Sequence, residues 1–205
     1  MSGTVRSRRP DAKSEAVPSF AFVGKMGSGK DTYSDELKLR IESKFGIRIY
    51  RPSMSAKIIE IATDLFGMEE KDRLLLESIA KKMREIDYCV WARYVVRDAL
   101  ANGKLPLIVD GIRSPEDAAF FRESLSKIVI VKIEVDELQR MEALRKMHGR
   151  YLTPEELGID TETTVEKIQA DLTLRNNYCR VEMEGQVSGL VDSIGIMTAR
   201  EILRP

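Results

Sequence analysis

Apolar residues in this chain fall into two patterns, short dense runs and stripes spaced by three or four. The run Ser19-Phe20-Ala21-Phe22-Val23 does not alternate, as in a strand buried on both faces. After Lys30, the positions Tyr33, Leu37, Ile41 and Phe45 recur every fourth residue, which is one face of a helix. Residues 47–50 predict a second short strand after Gly46, and Ile58, Ile61, Ala62 and Leu65 predict a helix that stops at Gly67. A long charged stretch carries Leu75, Ile79 and Met83 on one stripe. It breaks near Asp87 and resumes through Trp91, Val95 and Leu100 as far as Asn102-Gly103.

Residues 105–109 read as a buried strand. Ser114-Pro115-Glu116-Asp117 opens a helix, with Ser114 as N-cap, Pro115 in the first turn and two carboxylates at the positive end of the dipole. Residues 128–135 are the most strand-like segment. Leu138, Met141 and Leu144 predict a helix, residues 179–183 a last short strand, and Leu190, Val191, Ile194 and Met197 a closing helix. Five strands with intervening helices predict an α/β fold, a parallel sheet covered on both faces. Such folds bind ligands beyond the carboxyl ends of their strands.

The chemistry starts directly after the first strand, at Gly24-Lys25-Met26-Gly27-Ser28-Gly29-Lys30-Asp31-Thr32. The spacing is that of the phosphate-binding loop G-x-x-x-x-G-K-[ST], except that Asp31 replaces the hydroxyl residue and Thr32 follows. Strand, glycine loop and helix in that order aim backbone N–H groups and a helix N-terminus at one point, which suits a polyphosphate. The expected nucleotide contacts are Gly24, Gly27, Ser28, Gly29, Lys30, Asp31 and Thr32, with Lys30 reaching the β- and γ-phosphates and ATP as the nucleotide. At Asp31, a carboxylate can hold Mg²⁺ directly or through water. A Gly-rich turn that merely joins strand to helix is the structural alternative.

Composition narrows the setting. The chain has 205 residues, enough for one well-buried domain, and equal numbers of basic and acidic residues, 33 of each. No global charge draws it to nucleic acid or membrane. Cys89 and Cys179 match no metal spacing and read as ordinary reduced thiols. No apolar stretch reaches the length of a membrane span, so the expected location is cytoplasmic. Residues 1–17 carry Arg6, Arg8, Arg9 and Lys13 but no apolar core, and are expected to be a disordered leader rather than a secretory signal. Residues 18–205 then form a single domain.

Three further places hold candidate residues. At Val109-Asp110-Gly111-Ile112-Arg113, Asp110 ends a strand where it can hold a water on Mg²⁺, and Arg113 offers a five-donor fork. A capped turn with a surface arginine is the plain alternative. Arg140, Arg145, Lys146, His148 and Arg150, followed by Tyr151 and residues 153–164, form a basic segment able to close over phosphates, or else a solvated helix face. Arg84-Glu85-Ile86-Asp87-Tyr88-Cys89-Val90-Trp91 suits an acceptor pocket, with Arg84 on a phosphate, Asp87 on a ribose or base, and Trp91 or Tyr88 stacking; the alternative is an amphipathic helix with Trp91 in the core.

In order, Gly24–Thr32, the segment SMSAKIIEIATDLFG at 53–67, Arg84-Glu85-Ile86-Asp87 with Trp91, and Val109-Asp110-Gly111-Ile112-Arg113 with Glu116 resemble bacteriophage-type deoxynucleoside monophosphate kinases. Asp110-Gly111-Ile112-Arg113 is similar to the Asp-Gly-Phe-Pro-Arg stretch of adenylate kinases, and Arg175 through Glu184-Gly185 looks like dephospho-CoA kinases. The resemblance implies a three-layer P-loop kinase fold with strand order 2-3-1-4-5, Mg·ATP as donor, and a lid near residues 145–165. It also implies that Arg113 and Arg84 hold the acceptor phosphate while Arg145 and Arg150 embrace the donor. The segment at 53–57 lacks the Asp often found in the phage enzymes.

The expected reaction is therefore phosphoryl transfer to a (deoxy)nucleoside monophosphate. A phosphate acceptor is already ionised and needs no general base. A hydroxyl acceptor, as in dephospho-CoA or hydroxymethyluracil in phage DNA, would need Asp87 or Asp110 as base. A nucleotide-dependent binding or regulatory module is the alternative outside enzymes. A small-molecule nucleotide is the expected partner, no membrane is expected, and a homodimer is compatible with the sequence.

Overall fold

The computed structural model describes residues 17–153, 157 and 159–202. The dense apolar run becomes the central strand β1 (Ser19–Val23), buried at every position. On one side β1 pairs in parallel with β2 (Ile108–Asp110), placing Phe22 opposite Asp110. On the other it pairs with β3 (Ile128–Val135), and β4 (Leu172–Asn176) lies beyond that. The sheet is parallel throughout, in the order β2-β1-β3-β4.

The expected five strands are thus four, and both corrections have local causes. Residues 47–50 do run beside β2, but make only isolated parallel bridges, Tyr50 to Leu107 and Ser53 to Asp110. Pro52 lies between the two bridged residues and has no N–H to extend a ladder. The last strand is Leu172–Asn176, not 179–183. Asn176 accepts from the N–H of Tyr178 at 2.8 Å and Asn177 from that of Cys179 at 2.9 Å. These side-chain turns stop the strand and start the final helix, α8 (Arg180–Ile202), over the residues that alternate like a strand.

Helices α1 (Lys30–Phe45), α2 (Ala56–Phe66), α3 (Arg73–Ile86), α4 (Val90–Ala101), α5 (Pro115–Ser124), α6 (Glu137–His148) and α7 (Ile159–Glu166) complete the order. Alternation along β1 splits the core into two layers. Phe20 and Phe22 pack with Tyr33, Leu37 and Ile41 of α1 and Val187 and Val191 of α8. Ala21 and Val23 pack on the opposite face with Ile79, Trp91, Val95 and Phe121 of α3, α4 and α5. Ser114 caps α5 as expected, accepting from the Asp117 N–H at 3.1 Å. The break between α3 and α4 falls at Asp87, whose carboxylate accepts from the Cys89 N–H at 3.0 Å. Both cysteines are free thiols. The leader, apart from Val17, and residues 154–156 and 158 of the expected lid lie outside the described residues.

Candidate functional site

The carboxyl ends of β1, β2, β3 and β4 bring one loop, Gly24 to Gly29, to the centre of the site. Two glycines are dictated by geometry. A Cβ on Gly24 would stand 2.6 Å from Ser28 Oγ and 2.9 Å from the Ile133 carbonyl. Gly29 has φ 86°, and a Cβ there would run into the amide of Asn176. Gly29 is also the N-cap of α1 and supplies no side-chain cap, so the positive helix end stays open to an anion.

The loop's carbonyls are held from the protein side. Arg140 Nη1 donates to Met26 O at 2.8 Å, Tyr178 Oη to Gly27 O at 2.7 Å, and Asn176 Nδ2 to Ser28 O at 2.9 Å. Within the loop, the Ser28 N–H bonds Lys25 O, and the Tyr33 N–H bonds Gly29 O. Tying the carbonyls back in this way is what an anion-binding nest requires. Lys30 opens α1 half-buried, while Asp31 and Thr32 are exposed beside it. Ser28 Oγ is buried with no hydrogen-bond partner among the described residues. Such an orphaned hydroxyl in a loop is one that a bound phosphate would satisfy.

A cluster of carboxylates flanks the loop. Asp110, at the end of β2, accepts through Oδ2 from Arg51 Nε at 2.5 Å, and its Oδ1 is buried without a partner among the described residues. Arg51 Nη1 also binds Asp35 of α1, and its Nη2 lies 3.9 Å from Asp31. Burial pushes the Asp110 carboxyl above the ordinary carboxylate range, with the Arg51 guanidinium opposing. On the other flank, Lys25 pairs with Glu166 of α7 at 2.6 Å, and that bond raises its pKa.

Not every residue expected in the site meets there. Arg140 is 2% exposed and braced by Glu137, with donor–acceptor distances of 3.0 and 2.6 Å, so it is a strut beneath the loop rather than part of a closing segment. Arg84 is committed to Asp117, which is fully buried, at 2.8 and 3.3 Å, and to the Tyr88 carbonyl at 2.7 Å. That bond set occupies the fork expected on the acceptor phosphate. Asp87 is paired with Arg93 at 2.7 Å, which holds its carboxyl below the ordinary range. Trp91 is 3% exposed within the core and does not present its ring for stacking. Arg113 is exposed just beyond Gly111. Arg145 is bound to Glu142 at 2.7 Å, and Arg150 donates to the Tyr151 carbonyl at 3.1 Å.

No family model matches the chain. A UPF0200 protein of Thermococcus kodakarensis is 32% identical over 186 residues, spanning 84% of this chain and 95% of the relative. The chain belongs to the UPF0200 family. Among solved structures, this UPF0200 protein resembles TT1252 from Thermus thermophilus, with TM-score 0.57 and 15% identity over 91% of this chain and 98% of the other. A shikimate kinase from Bacteroides thetaiotaomicron gives TM-score 0.55 and 14% identity over 87% and 99%. A gluconokinase from Sinorhizobium meliloti 1021 gives 0.53 and 16% over 92% and 98%. At these identities the likeness is one of fold, an α/β kinase fold with a parallel sheet. Among the described residues, no helix of the UPF0200 protein is long and apolar enough to cross a membrane.

Sequence reasoning missed four residues of this site. Arg51 and Asp35 sit in polar stretches with no motif around them. Asn176 and Tyr178 lie in the stretch 175–185 that resembles dephospho-CoA kinases, but nothing in it marked them as partners of the loop at 24–29.

Proposed function

We propose that this UPF0200 protein is an ATP-dependent phosphotransferase whose acceptor is a (deoxy)nucleoside monophosphate. The observation that carries the reading is the loop itself: an uncapped helix N-terminus, a lysine at its start, carbonyls tied back by Arg140, Tyr178 and Asn176, and the unpartnered hydroxyl of Ser28. These features fit a triphosphate.

A nucleotide-borne Mg²⁺ also fits the residues present. Among the described residues, no group of three or more His, Cys, Asp or Glu could hold a metal alone. Mg²⁺ at a nucleotide needs only one or two carboxylates, directly or through water. Asp110, with its unpartnered Oδ1, and Asp31, at the start of α1, are those carboxylates. When bound, the ion neutralises charge that develops on the phosphates.

In this mechanism Lys30 meets the β- and γ-phosphates and the Ser28 hydroxyl turns to a phosphate oxygen. Arg113 grips the acceptor phosphate, with Arg145 and Arg150 drawn to the donor. Arg84 contributes through Asp117 by fixing α3 to α5. The acceptor oxygen is already ionised, so positioning and charge neutralisation suffice.

A hydroxyl acceptor is the second reading, favoured by the buried Oδ1 of Asp110 and its raised pKa, the properties of a general base. Turnover of ATP should be measured alone, with a panel of nucleoside monophosphates, with dephospho-CoA and with hydroxymethyluracil DNA. Transfer to a monophosphate supports the first reading, and transfer confined to a hydroxyl compound replaces it with the second. Nucleotide binding without transfer to any acceptor would make the protein a nucleotide-dependent binding module.

A further inference from the structure

The two carboxylate oxygens of Asp110 have unlike surroundings. Oδ2 is taken by Arg51 Nε at 2.5 Å, whereas Oδ1 is buried and accepts no hydrogen bond among the described residues, the nearby Ser34 hydroxyl donating to the Asp31 carbonyl at 2.9 Å. A buried carboxylate oxygen left without a donor is costly, so its position calls for a ligand. Arg51 is itself fixed from two directions. Its Nη1 binds Asp35 on α1, and the bridge between Ser53 and Asp110 sets its backbone beside the end of β2. One guanidinium therefore ties the end of β2 to the helix whose N-terminus closes the phosphate loop.

We propose that Arg51 is the positioning residue for a divalent cation bound with the nucleotide: by occupying Oδ2 it fixes Asp110 and leaves Oδ1 for the ion or a water on it. The inference rests on the nucleotide reading above and adds a residue that no motif marks. Two cations near one carboxylate repel each other, but separate oxygens let both be accommodated. The planar fork matters, because one side chain holds Oδ2 and Asp35 at once. A lysine offers a single point charge and cannot span both. Groups that orient metal ligands in this way typically govern ~10–100-fold in metal affinity.

Calorimetric titration of the full chain with ATP, in Mg²⁺ and in EDTA, tests this. Wild type should bind Mg·ATP more tightly than metal-free ATP. Arg51→Gln should lose ~10-fold or more of that Mg²⁺ advantage, read as the ratio of the affinities with and without the metal; Arg51→Lys should lose nearly as much. Should Arg51→Gln fail to fold, Asp35→Asn removes the exposed anchor of the guanidinium and should give a smaller loss in the same direction. Equal weakening with and without the metal, or an intact Mg²⁺ advantage, overturns the role of Arg51. If wild type binds ATP equally with and without Mg²⁺, this inference falls and nucleotide binding stands. If it binds no nucleotide, both fall.

Discussion

Asn176 Nδ2 donates to the carbonyl of Ser28 at 2.9 Å, joining the last residue of β4 to a loop 148 positions earlier in the chain. The same side chain accepts from the Tyr178 N–H, and Tyr178 Oη in turn binds Gly27 O. A single amide thus sets both the end of the sheet and the outer wall of the loop from Gly24 to Gly29. Asn176→Ala should cost about 1–3 kcal/mol, because it leaves a buried carbonyl without its donor. Asn176→Asp should be worse, since a carboxylate oxygen would face the Ser28 carbonyl. Urea unfolding measures the first effect, and ATP titration should show both variants binding more weakly. Wild-type ATP affinity in a folded Asn176→Asp protein would show that the strap does not shape the loop.

How far the sequence reveals this arrangement depends on the range of the forces involved. β1, α1 and the Ser114 cap are written in local spacing, and the loop in the glycines that its backbone needs. The strand expected at 47–50 shrinks to bridges because one proline decides it. The strand expected at 179–183 is lost because two asparagine turns outweigh alternation. Asn176, Tyr178, Arg140 and Arg51 each act through one or two bonds to residues far away in sequence, and such contacts leave no periodicity. Trp91 and Arg84 have the right chemistry for a pocket, but burial and Asp117 claim them first.

Lys30→Ala should leave the fold intact and remove phosphoryl transfer. Loss of one preorganised charge at a reacting phosphate commonly costs ~10²–10³ in rate. Circular dichroism checks the fold and coupled turnover the chemistry. Near-normal turnover by the folded variant would rule out the phosphate-loop mechanism.

The Arg84–Asp117 pair predicts a stability effect in place of a binding one. Asp117 is fully buried, so Arg84→Ala strands a carboxylate, and breaking such a pair costs about 3–5 kcal/mol. Melting should drop by many degrees, while the KM for the acceptor, measured below the transition, changes little. A large KM increase with unchanged melting would return Arg84 to the acceptor site.

Asp98 supplies a pH signature. Burial alone would raise its carboxyl, but hydrogen bonds from Lys104 and Tyr50, each at 3.0 Å, outweigh it and hold the pKa below the ordinary value. A depressed folded pKa contributes stability above the unfolded value of about 4. That contribution fades as pH falls through the folded pKa. Asp98→Asn should therefore be about 1 kcal/mol less stable than wild type at pH 7, and the gap should close below about pH 4. Urea midpoints across that range measure it; a gap independent of pH would mean that packing, not charge, links α4 to Tyr50.

Arg113 decides between acceptors. It stands exposed past the end of β2, separated from Asp110 by Gly111 at φ 79° and the buried Ile112. The residue thus follows the carboxyl end of a sheet strand, the edge at which folds of this kind bind ligands. A guanidinium grips a phosphate through two parallel hydrogen bonds, and Arg113→Lys keeps the charge but loses the fork. Turnover with a nucleoside monophosphate should fall by ~10-fold or more, the size of one charge-assisted hydrogen bond, with ATP affinity nearly unchanged. Asp110→Asn separates the same two readings from the other side. With a monophosphate acceptor it should raise the Mg²⁺ requirement without shifting the pH profile, since no proton has to be taken. With a hydroxyl acceptor it should cut turnover severely and remove the acid limb from the residual rate. A silent Arg113→Lys combined with a lost acid limb in Asp110→Asn would make the protein a hydroxyl kinase.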